Sequence, residues 1–186
     1  MDDIRNPSAP PNKSRKYAQP EHERRFLLAG PPAGEIVATT VITDNYLLGT
    51  RLRLRRAVET AGGATTTVYK FTQKVPAPDG GPGLTTNLYL TLAEYETLAA
   101  LPARQLCKTR HRIPPFVVDV FEPPLHGLTL AEAEFSSGEE LQALVSPPFA
   151  VAEVTRDIRF SGGRLVTTTR AELLLALASF DIHLAE

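Results

Sequence analysis

Charged side chains recur at every second position in several short segments of the sequence. Because the side chains of a strand alternate between its two faces, charges two residues apart share one face. Two segments are acidic and three are cationic: Glu21 and Glu23; Glu132 and Glu134; Arg51, Arg53 and Arg55; Lys70 and Lys74; and Lys108, Arg110 and Arg112. Carboxylate oxygens suit hard divalent cations, and arginine forks pair with phosphate oxygens. The combination therefore predicts chemistry on a polyanion with metal ions.

The same rows have a simpler interpretation as the solvated outer face of a sheet. That interpretation is usually right for one or two strands, but here several strands carry rows of one sign, and like charges on neighbouring strands repel. Alternation alone leaves both an interior site and a solvated face open. Arg55 and Lys70 stand toward the ends of their segments, so for each of them a position at the rim of the barrel is as much an alternative as one inside it.

Nine segments have the length of a strand, five of them carry these rows, and most are rich in Val, Ile, Thr, Leu, Phe and Tyr. They are residues 21–28, 36–43, 50–56, 67–75, 85–92, 106–113, 116–121, 128–135 and 151–160. Turn residues separate them, as at Gly62-Gly63. Three Ser/Thr-x-x-Glu capping boxes, beginning at Thr91, Ser137 and Thr169, predict short helices. Strands in this sequential order predict an antiparallel, closed or nearly closed barrel.

Charge is unevenly distributed, although the 186 residues sum to a net charge of −1. Residues 51–112 contain ten basic and four acidic side chains, whereas residues 113–155 contain seven carboxylates and no Lys or Arg. The total argues against a strongly basic nucleic-acid binder. Cys107 is the single cysteine, so no disulfide or cysteine-based metal site can form within the chain. Neither a signal peptide nor an apolar run of roughly 18 residues is present, which predicts a cytoplasmic protein.

Seven short motifs follow one another along the chain. They are Glu21-His22-Glu23-Arg24-Arg25, like ExExK; Asp44-Asn45-Tyr46-Leu47, like Q-G-Y-L; Arg51-Leu52-Arg53, like RxR; Phe71-Thr72-Gln73-Lys74, like L-T-x-K; Lys108-Thr109-Arg110, like K-x-R; Gly127-Leu128-Thr129-Leu130-Ala131-Glu132-Ala133-Glu134, like G-L-x-L-A-E-V-E; and Glu153-Val154-Thr155-Arg156-Asp157-Ile158-Arg159-Phe160, like E-V-T-x-D-x-R-Y. In this order they resemble the motifs of the CYTH superfamily, the triphosphate tunnel metalloenzymes, over roughly residues 20–166.

The resemblance implies a mainly β (α+β) fold, an antiparallel eight-stranded closed tunnel barrel with a few flanking helices. It implies metal-dependent hydrolysis of the terminal phosphoanhydride of a linear triphosphate, with inorganic tripolyphosphate as the favoured substrate. Mg²⁺ or Mn²⁺ would be held by four carboxylates: Glu21, Glu23, Glu132 and Glu134. The phosphates would be gripped by six cations: Arg25, Arg51, Arg53, Lys74, Lys108 and Arg110. Glu21, Glu23 and Lys74 would be the catalytic residues.

Two positions depart from the family pattern. Arg25 replaces the last lysine of ExExK, which keeps the positive charge but removes a possible base. Asn87 stands where many members carry an acid for a second metal ion, so that second site is left open. Asp119 and Glu153 are further candidates, either as a third carboxylate or as partners of nearby arginines. An adenylate cyclase and a non-catalytic polyphosphate or nucleotide sensor remain alternative functions.

The resemblance also suggests a division of the chain. Residues 1–19 are expected to be a flexible tail, residues 20–166 the tunnel domain, and residues 167–186 a C-terminal helix packed on the barrel. The expected partner is a small-molecule triphosphate: tripolyphosphate, ATP, another nucleoside triphosphate or thiamine triphosphate. No nucleic acid or membrane partner is expected, and the chain is expected to be a monomer or a homodimer.

Overall fold

Ten strands and a few short helices make up the computed structural model, which describes residues 17–30, 34–76 and 83–184. The strands are β1 (Gln19–Pro20), β2 (His22–Leu28), β3 (Ala38–Leu47), β4 (Leu52–Ala61), β5 (Ala64–Val75), β6 (Leu84–Leu90), β7 (Ala103–Ile113), β8 (Phe116–Phe121), β9 (Thr129–Phe135) and β10 (Ala150–Glu153). The helices are α1 (Leu92–Ala99), α2 (Gly138–Ala143), α3 (Gly162–Leu165) and α4 (Arg170–Ala178), with a 3₁₀ turn over Ile158–Phe160. The predicted antiparallel β fold with few helices is therefore confirmed.

The strands form one antiparallel sheet in the order β1-β6-β5-β4-β3-β7-β8-β9-β2-β10. The prediction of a closed, eight-stranded barrel was wrong on both counts, because the sheet has ten strands and its hydrogen-bonded order is open. One reason is the run from Gln19 to Leu28, which is split at Glu21. Its first part pairs with β6, and its second part pairs with β9 and β10. A single run of chain thus pairs with strands near both ends of the strand order.

Local sequence explains the main turns and the helix starts. Gly62 and Gly63 have φ angles of 54° and 80° and join β4 to β5 as a two-residue hairpin turn, a conformation that glycine adopts without strain. Thr91 and Thr169 both complete capping boxes, at the starts of α1 and α4. These turn and cap predictions are confirmed.

The predicted strand over residues 151–160 was wrong beyond its first residues. β10 ends at Glu153, and the backbone N–H of Val154 then donates to the carbonyl of Arg25 at 2.8 Å. Asp157 caps the following 3₁₀ turn by accepting from the backbone N–H of Arg159. Because this capping favours a turn, the predicted strand does not continue after Glu153.

Apolar residues fill the interior at one end of the sheet. Leu27, Leu106 and Leu130 are buried two positions beyond Arg25, Lys108 and Glu132 on the same strand faces. The buried side chains of α4 belong to the same cluster, together with Phe160 and Leu165. These three strands therefore change from charged to apolar along their inner faces, which confines their charged side chains to the remainder of the interior.

The segment around α3 approaches this interior closely at Gly162. A Cβ atom at Gly162 would overlap the hydroxyl of Tyr46, whereas a Cβ at Gly163 would meet no heavy atom within 4 Å. Gly162 therefore has a packing requirement that its neighbour lacks.

Replacing Gly162 with alanine is expected to lower the free energy of unfolding by about 1–3 kcal/mol, because overpacking forces Tyr46 to shift. Denaturant unfolding measures this, and Gly163→Ala is the matched control. In a Tyr46→Phe background the nearest ring atom lies 3.4 Å from the added methyl, so the cost should fall below about 1 kcal/mol. An equal cost in both backgrounds would show that the hydroxyl is not the obstacle.

No helix in the described ranges is long and apolar enough to cross a membrane. The predicted tail lies, up to residue 16, outside the described residues, and the domain limits stay a prediction.

Candidate active site

A cavity of about 770 Å³ opens on the inner face of the sheet. Eleven of the predicted residues line it: Glu21, Glu23, Arg25, Arg51, Arg53, Lys74, Asn87, Lys108, Arg110, Glu132 and Glu134. These rows thus face an interior space, although Arg51 and Glu134 are exposed at its margin. Glu153 is not part of the lining and instead pairs with Arg24 at 2.7 Å.

Asp119 lies buried behind the cavity wall and holds two of the cations. Arg110 donates from Nε to Oδ1 of Asp119 at 2.6 Å and from Nη2 to Oδ2 at 2.7 Å, and Lys108 Nζ also donates to Oδ2. Burial alone would raise the pKa of Asp119, but the charges of Lys108 and Arg110 outweigh it and lower that pKa. Asp119 is therefore an anion that orients both cations toward the cavity.

Glu132 is the acceptor at the centre of the acidic wall. It accepts from Arg25 Nε at 3.0 Å and from Arg110 Nη2 at 2.8 Å. Burial would raise the pKa of Glu132, but Lys108, Arg110 and Arg25 hold it well below its ordinary value. The Arg25 guanidinium also donates to Glu23 at 2.6 Å, so one arginine joins two of the four carboxylates.

The four carboxylates lie close together in the sheet. Glu23 is on β2, Glu132 and Glu134 are on the neighbouring strand β9, and Glu21 immediately precedes β2. Glu23 is directly opposite Glu134 in the β2–β9 register, and Glu21 pairs with Lys74 at 2.7 Å. Burial raises the pKa of Glu23; Arg25 opposes this, and the charge of Glu132 adds to it. A carboxylate that is partly buried beside other carboxylates is a position where a cation is favoured.

Whether these carboxylates can bind a divalent metal ion depends on whether Arg25 and Lys74 keep their ion pairs with them. Within residues 17–30, 34–76 and 83–184, no three His, Cys, Asp or Glu side chains are grouped as a metal site. Arg25 and Lys74 occupy the oxygens of Glu23, Glu132 and Glu21. If bound phosphate drew these cations away, the oxygens released would be the ligand type that hard divalent cations prefer. The donor set therefore fits such an ion by its chemistry.

Asp44 organises the cations on the opposite wall, and the sequence interpretation did not single it out. It is 1% exposed and accepts two hydrogen bonds from Arg55, each of 2.7 Å. Arg53 Nε lies 3.5 Å from Asp44 and has no hydrogen-bond partner in the described structure. Arg53 Nη2 donates weakly to Thr72, whose hydroxyl donates to Asn87 at 2.8 Å. Arg53 is thus a buried cation with donor capacity left for a ligand.

The pairing of Asp44 with Arg55 could have been read from the hairpin. The two residues are directly opposite each other in the β3–β4 register, and opposite charges at such positions attract. The signal was missed because Asp44 was considered only as part of a motif. Arg55 is consequently buried on Asp44 rather than placed at the rim.

Asp44 should make stability depend on pH in the acidic range. Burial would raise its pKa, but hydrogen bonds from Arg55 and the charges of Arg53, Arg55 and Lys108 lower it to about 2. A lowered pKa in the folded state contributes stability that is present above the ordinary value of 3.8 and is lost as pH falls toward 2.

Replacing Asp44 with asparagine is expected to lower the free energy of unfolding at neutral pH by about 2–3 kcal/mol. The difference from the wild-type protein should shrink as the pH falls from about 4 to about 2, because both proteins then have a neutral side chain there. Denaturant unfolding across this pH range measures it. A difference that stays constant with pH would contradict the ionised pair.

The comparison with known proteins assigns this arrangement to a family. An inorganic triphosphatase of Nitrosomonas europaea is 33% identical over 158 residues, which cover 78% of this chain and 95% of that protein. The chain belongs to the CYTH-type triphosphatases. No family model matches the chain.

Two crystal structures support the CYTH assignment. One, of the inorganic triphosphatase NE1496, is 28% identical with a TM-score of 0.50, and the match covers 80% of this chain and 95% of that one. The other, described as the hypothetical protein NE1496, is 29% identical with a TM-score of 0.51 over 80% and 99% of the two chains. The mainly antiparallel sheet thus matches the CYTH fold.

Proposed function

We propose that this protein hydrolyses the terminal phosphoanhydride of a linear triphosphate, with inorganic tripolyphosphate as its substrate. The observation that carries the proposal is a single cavity that brings six predicted phosphate-binding cations to face four carboxylates. The inorganic triphosphatase to which the chain is similar supports the same substrate.

The cations would bind the substrate by exchanging carboxylate partners for phosphate oxygens. Arg53 has a free donor already, while Arg25, Arg110 and Lys74 are held by acids that line the same cavity. Arginine forks match the geometry of phosphate oxygens, and each exchanged pair keeps a charge-assisted hydrogen bond. Preorganised cations of this kind stabilise charge as it develops in phosphoryl transfer.

The carboxylates left by this exchange are the proposed ligands of Mg²⁺ or Mn²⁺. They are Glu21, Glu23, Glu132 and Glu134. When bound, such an ion offsets phosphate charge and favours the attack of water. Glu21, Glu23 and Lys74 are the proposed catalytic residues, and the 2.7 Å pair of Glu21 with Lys74 lies beside the proposed phosphate site. Once Lys74 binds phosphate, the carboxylate of Glu21 is released and is the proposed acceptor of the proton of the attacking water.

The sensor remains the second candidate, because Asn87 and Thr85 line the cavity where a further acid would be needed for a second metal ion. Tight binding of tripolyphosphate without turnover would favour it. No observation in the described structure favours the cyclase. Its products would be pyrophosphate and a cyclic nucleotide, whereas hydrolysis releases orthophosphate.

One experiment tests the proposal. The purified protein is incubated with tripolyphosphate, ATP and thiamine triphosphate, each with Mg²⁺, Mn²⁺ or a chelator, and the products are resolved. Orthophosphate released from tripolyphosphate only with a divalent ion is the expected result. An absence of turnover on every substrate would reject the hydrolase. A cytoplasmic location and a monomeric or homodimeric state stay predictions.

A further inference from the structure

Three lysines belong to the described residues, and among these residues only Lys70 has no acidic partner. Lys74 pairs with Glu21 at 2.7 Å, and Lys108 donates to the buried carboxylate of Asp119. Lys70 lies on β5, is half-buried and lines the cavity of the candidate active site. Its amine is therefore the one described lysine amine that no carboxylate holds.

The neighbours of Lys70 across the sheet are a cation and a phenol. Arg55 is directly opposite Lys70 on β4, and Tyr89 is directly opposite it on β6. Arg53 lines the same cavity, and its Nε has no hydrogen-bond partner in the described structure. These surroundings disfavour a further positive charge at Lys70 and favour a negative one.

The amine of Lys70 also loses its proton easily. Burial and then the charges of Arg55 and Arg53 lower its pKa to about 8. The charges of Asp44 and Glu134 oppose this shift without cancelling it. A lysine that is desolvated beside cations is an activated nucleophile, because more of it is present as the neutral amine.

The charge of the product decides which electrophile suits this amine. A carbonyl compound gives a Schiff base, which becomes cationic on protonation, and an acyl donor gives a neutral amide. Carbon dioxide gives a carbamate, which is an anion with two carboxylate oxygens. Because Arg53 and Arg55 favour an anionic product, carbon dioxide is the electrophile that fits Lys70. At Lys108 the same product would lie beside the carboxylate of Asp119 and be repelled.

A carbamate at Lys70 would stand on a wall of the cavity that has no acid. Neither β5 nor β6 contains an Asp or Glu, and Asn87 stands where many CYTH members carry one. Asn87 is directly opposite Thr72, which is two residues from Lys70 along β5, so Lys70 and Asn87 are diagonal neighbours that line the same cavity. Such neighbours are about 7–8 Å apart, within reach of a long side chain.

We propose that Lys70 is a carbamylation site for dissolved carbon dioxide, and that its carbamate supplies the carboxylate that the β5–β6 wall lacks. The lone pair of the neutral amine attacks carbon, so that a nitrogen–carbon bond forms while one carbon–oxygen π bond breaks and its electrons move to oxygen. The proton that leaves nitrogen goes to water, and nothing is oxidised or reduced. The carboxylate's role toward a divalent ion rests on the proposed function, whereas carbamate formation does not.

The test is ¹³C NMR of the protein equilibrated with ¹³C-labelled bicarbonate and carbon dioxide at about pH 8, without triphosphate. The wild-type protein is expected to show a carbamate resonance that is lost in Lys70→Arg, which keeps the charge but has no amine, and equally in Lys70→Gln. Lys74→Arg is the matched control and should keep the resonance, because Glu21 holds the lysine that it removes. Thermal unfolding verifies the folding of each variant.

Two results would overturn the site. One is the absence of a carbamate resonance in the wild-type protein. The other is a resonance that persists unchanged in Lys70→Arg, which would come from another amine, such as the N-terminal one with its ordinary pKa of about 8.

Addition of Mg²⁺ tests the role of the new carboxylate. At about ten times its dissociation constant from the carbamylated protein, Mg²⁺ should raise the apparent affinity for carbon dioxide about tenfold, because an ion held by the carbamylated form shifts the equilibrium toward that form. An occupancy of Lys70 that Mg²⁺ leaves unchanged would overturn this role. A Mg²⁺-dependent carbamate in a protein that does not hydrolyse tripolyphosphate would instead reject the proposed function and leave the site in place.

Discussion

Replacing Glu132 with glutamine is expected to lower kcat/KM for tripolyphosphate by about 100-fold or more. The carboxylate is the shared acceptor of Arg25 and Arg110 and a proposed metal ligand. Glutamine keeps the shape but loses the charge, so it weakens both the orientation of the two guanidiniums and the attraction for a divalent ion. Initial rates measured at several Mg²⁺ concentrations give the effect, and the concentration for half-maximal rate should rise.

This substitution should leave the fold intact. Arg25 keeps Glu23 as a partner, and Arg110 keeps Asp119, so neither buried cation loses its last acceptor. Thermal unfolding checks this, and Glu96→Gln, on the exposed surface of α1, is the control for the loss of one charge. Activity within about twofold of the wild type would reject the assignment of Glu132.

Replacing Asp119 with asparagine is expected to lower the free energy of unfolding by about 3–5 kcal/mol. Asp119 is fully buried, and its removal leaves Lys108 without an anionic partner among the described ion pairs while Arg110 retains only Glu132. Because the pKa of Asp119 is lowered, this stability is present above the ordinary pKa of an aspartate and is lost as the pH falls. The difference between the two proteins should therefore shrink in acid.

Denaturant unfolding of Asp119→Asn, with Asp181→Asn as an exposed control, measures this loss. Adding Lys108→Met to Asp119→Asn should recover part of the stability, because the uncompensated buried charge is then removed. Strictly additive losses in the double variant would contradict the coupling. Activity should be low in Asp119→Asn, because Lys108 loses the anion that orients it. Activity should stay low in the double variant, because this proposed phosphate ligand is then absent.

Local signals were sufficient to predict which residues share one face of each strand. The alternation in Arg51–Arg55 and Lys108–Arg112 specifies one face of each strand, and Gly62-Gly63 fixes the register of the hairpin between β4 and β5. The resemblance supplied what alternation left open, namely that the rows face an interior. The predicted roles of the lining residues remain predictions, since position does not establish a ligand.

Other features are not expressed by strand alternation alone. Asp44 is a buried anion because Arg55 lies directly opposite it in the β3–β4 hairpin, a pairing that can be recognised only when the register of that hairpin is considered. The predicted strand beyond Glu153 fails because Asp157 caps a 3₁₀ turn, even though the backbone N–H of Val154 still donates to the carbonyl of Arg25 on β2. The nine predicted segments correspond to β2–β10, and the count of eight implied by the resemblance was wrong; the additional strand, β1, lies at Gln19–Pro20, where the predicted tail ends.

The run from Gln19 to Leu28 also has a consequence for the order of folding. Arg25 and Glu132 meet across 107 residues, whereas Arg110 and Asp119 are nine residues apart. The entropy of loop closure delays contacts between distant residues, so local hairpins are expected to form first. The acidic wall would then be completed last, after the β3–β5 and β7–β9 hairpins exist to receive the first strand. During synthesis, the first strand would have to wait for most of the chain before its carboxylates met their partners.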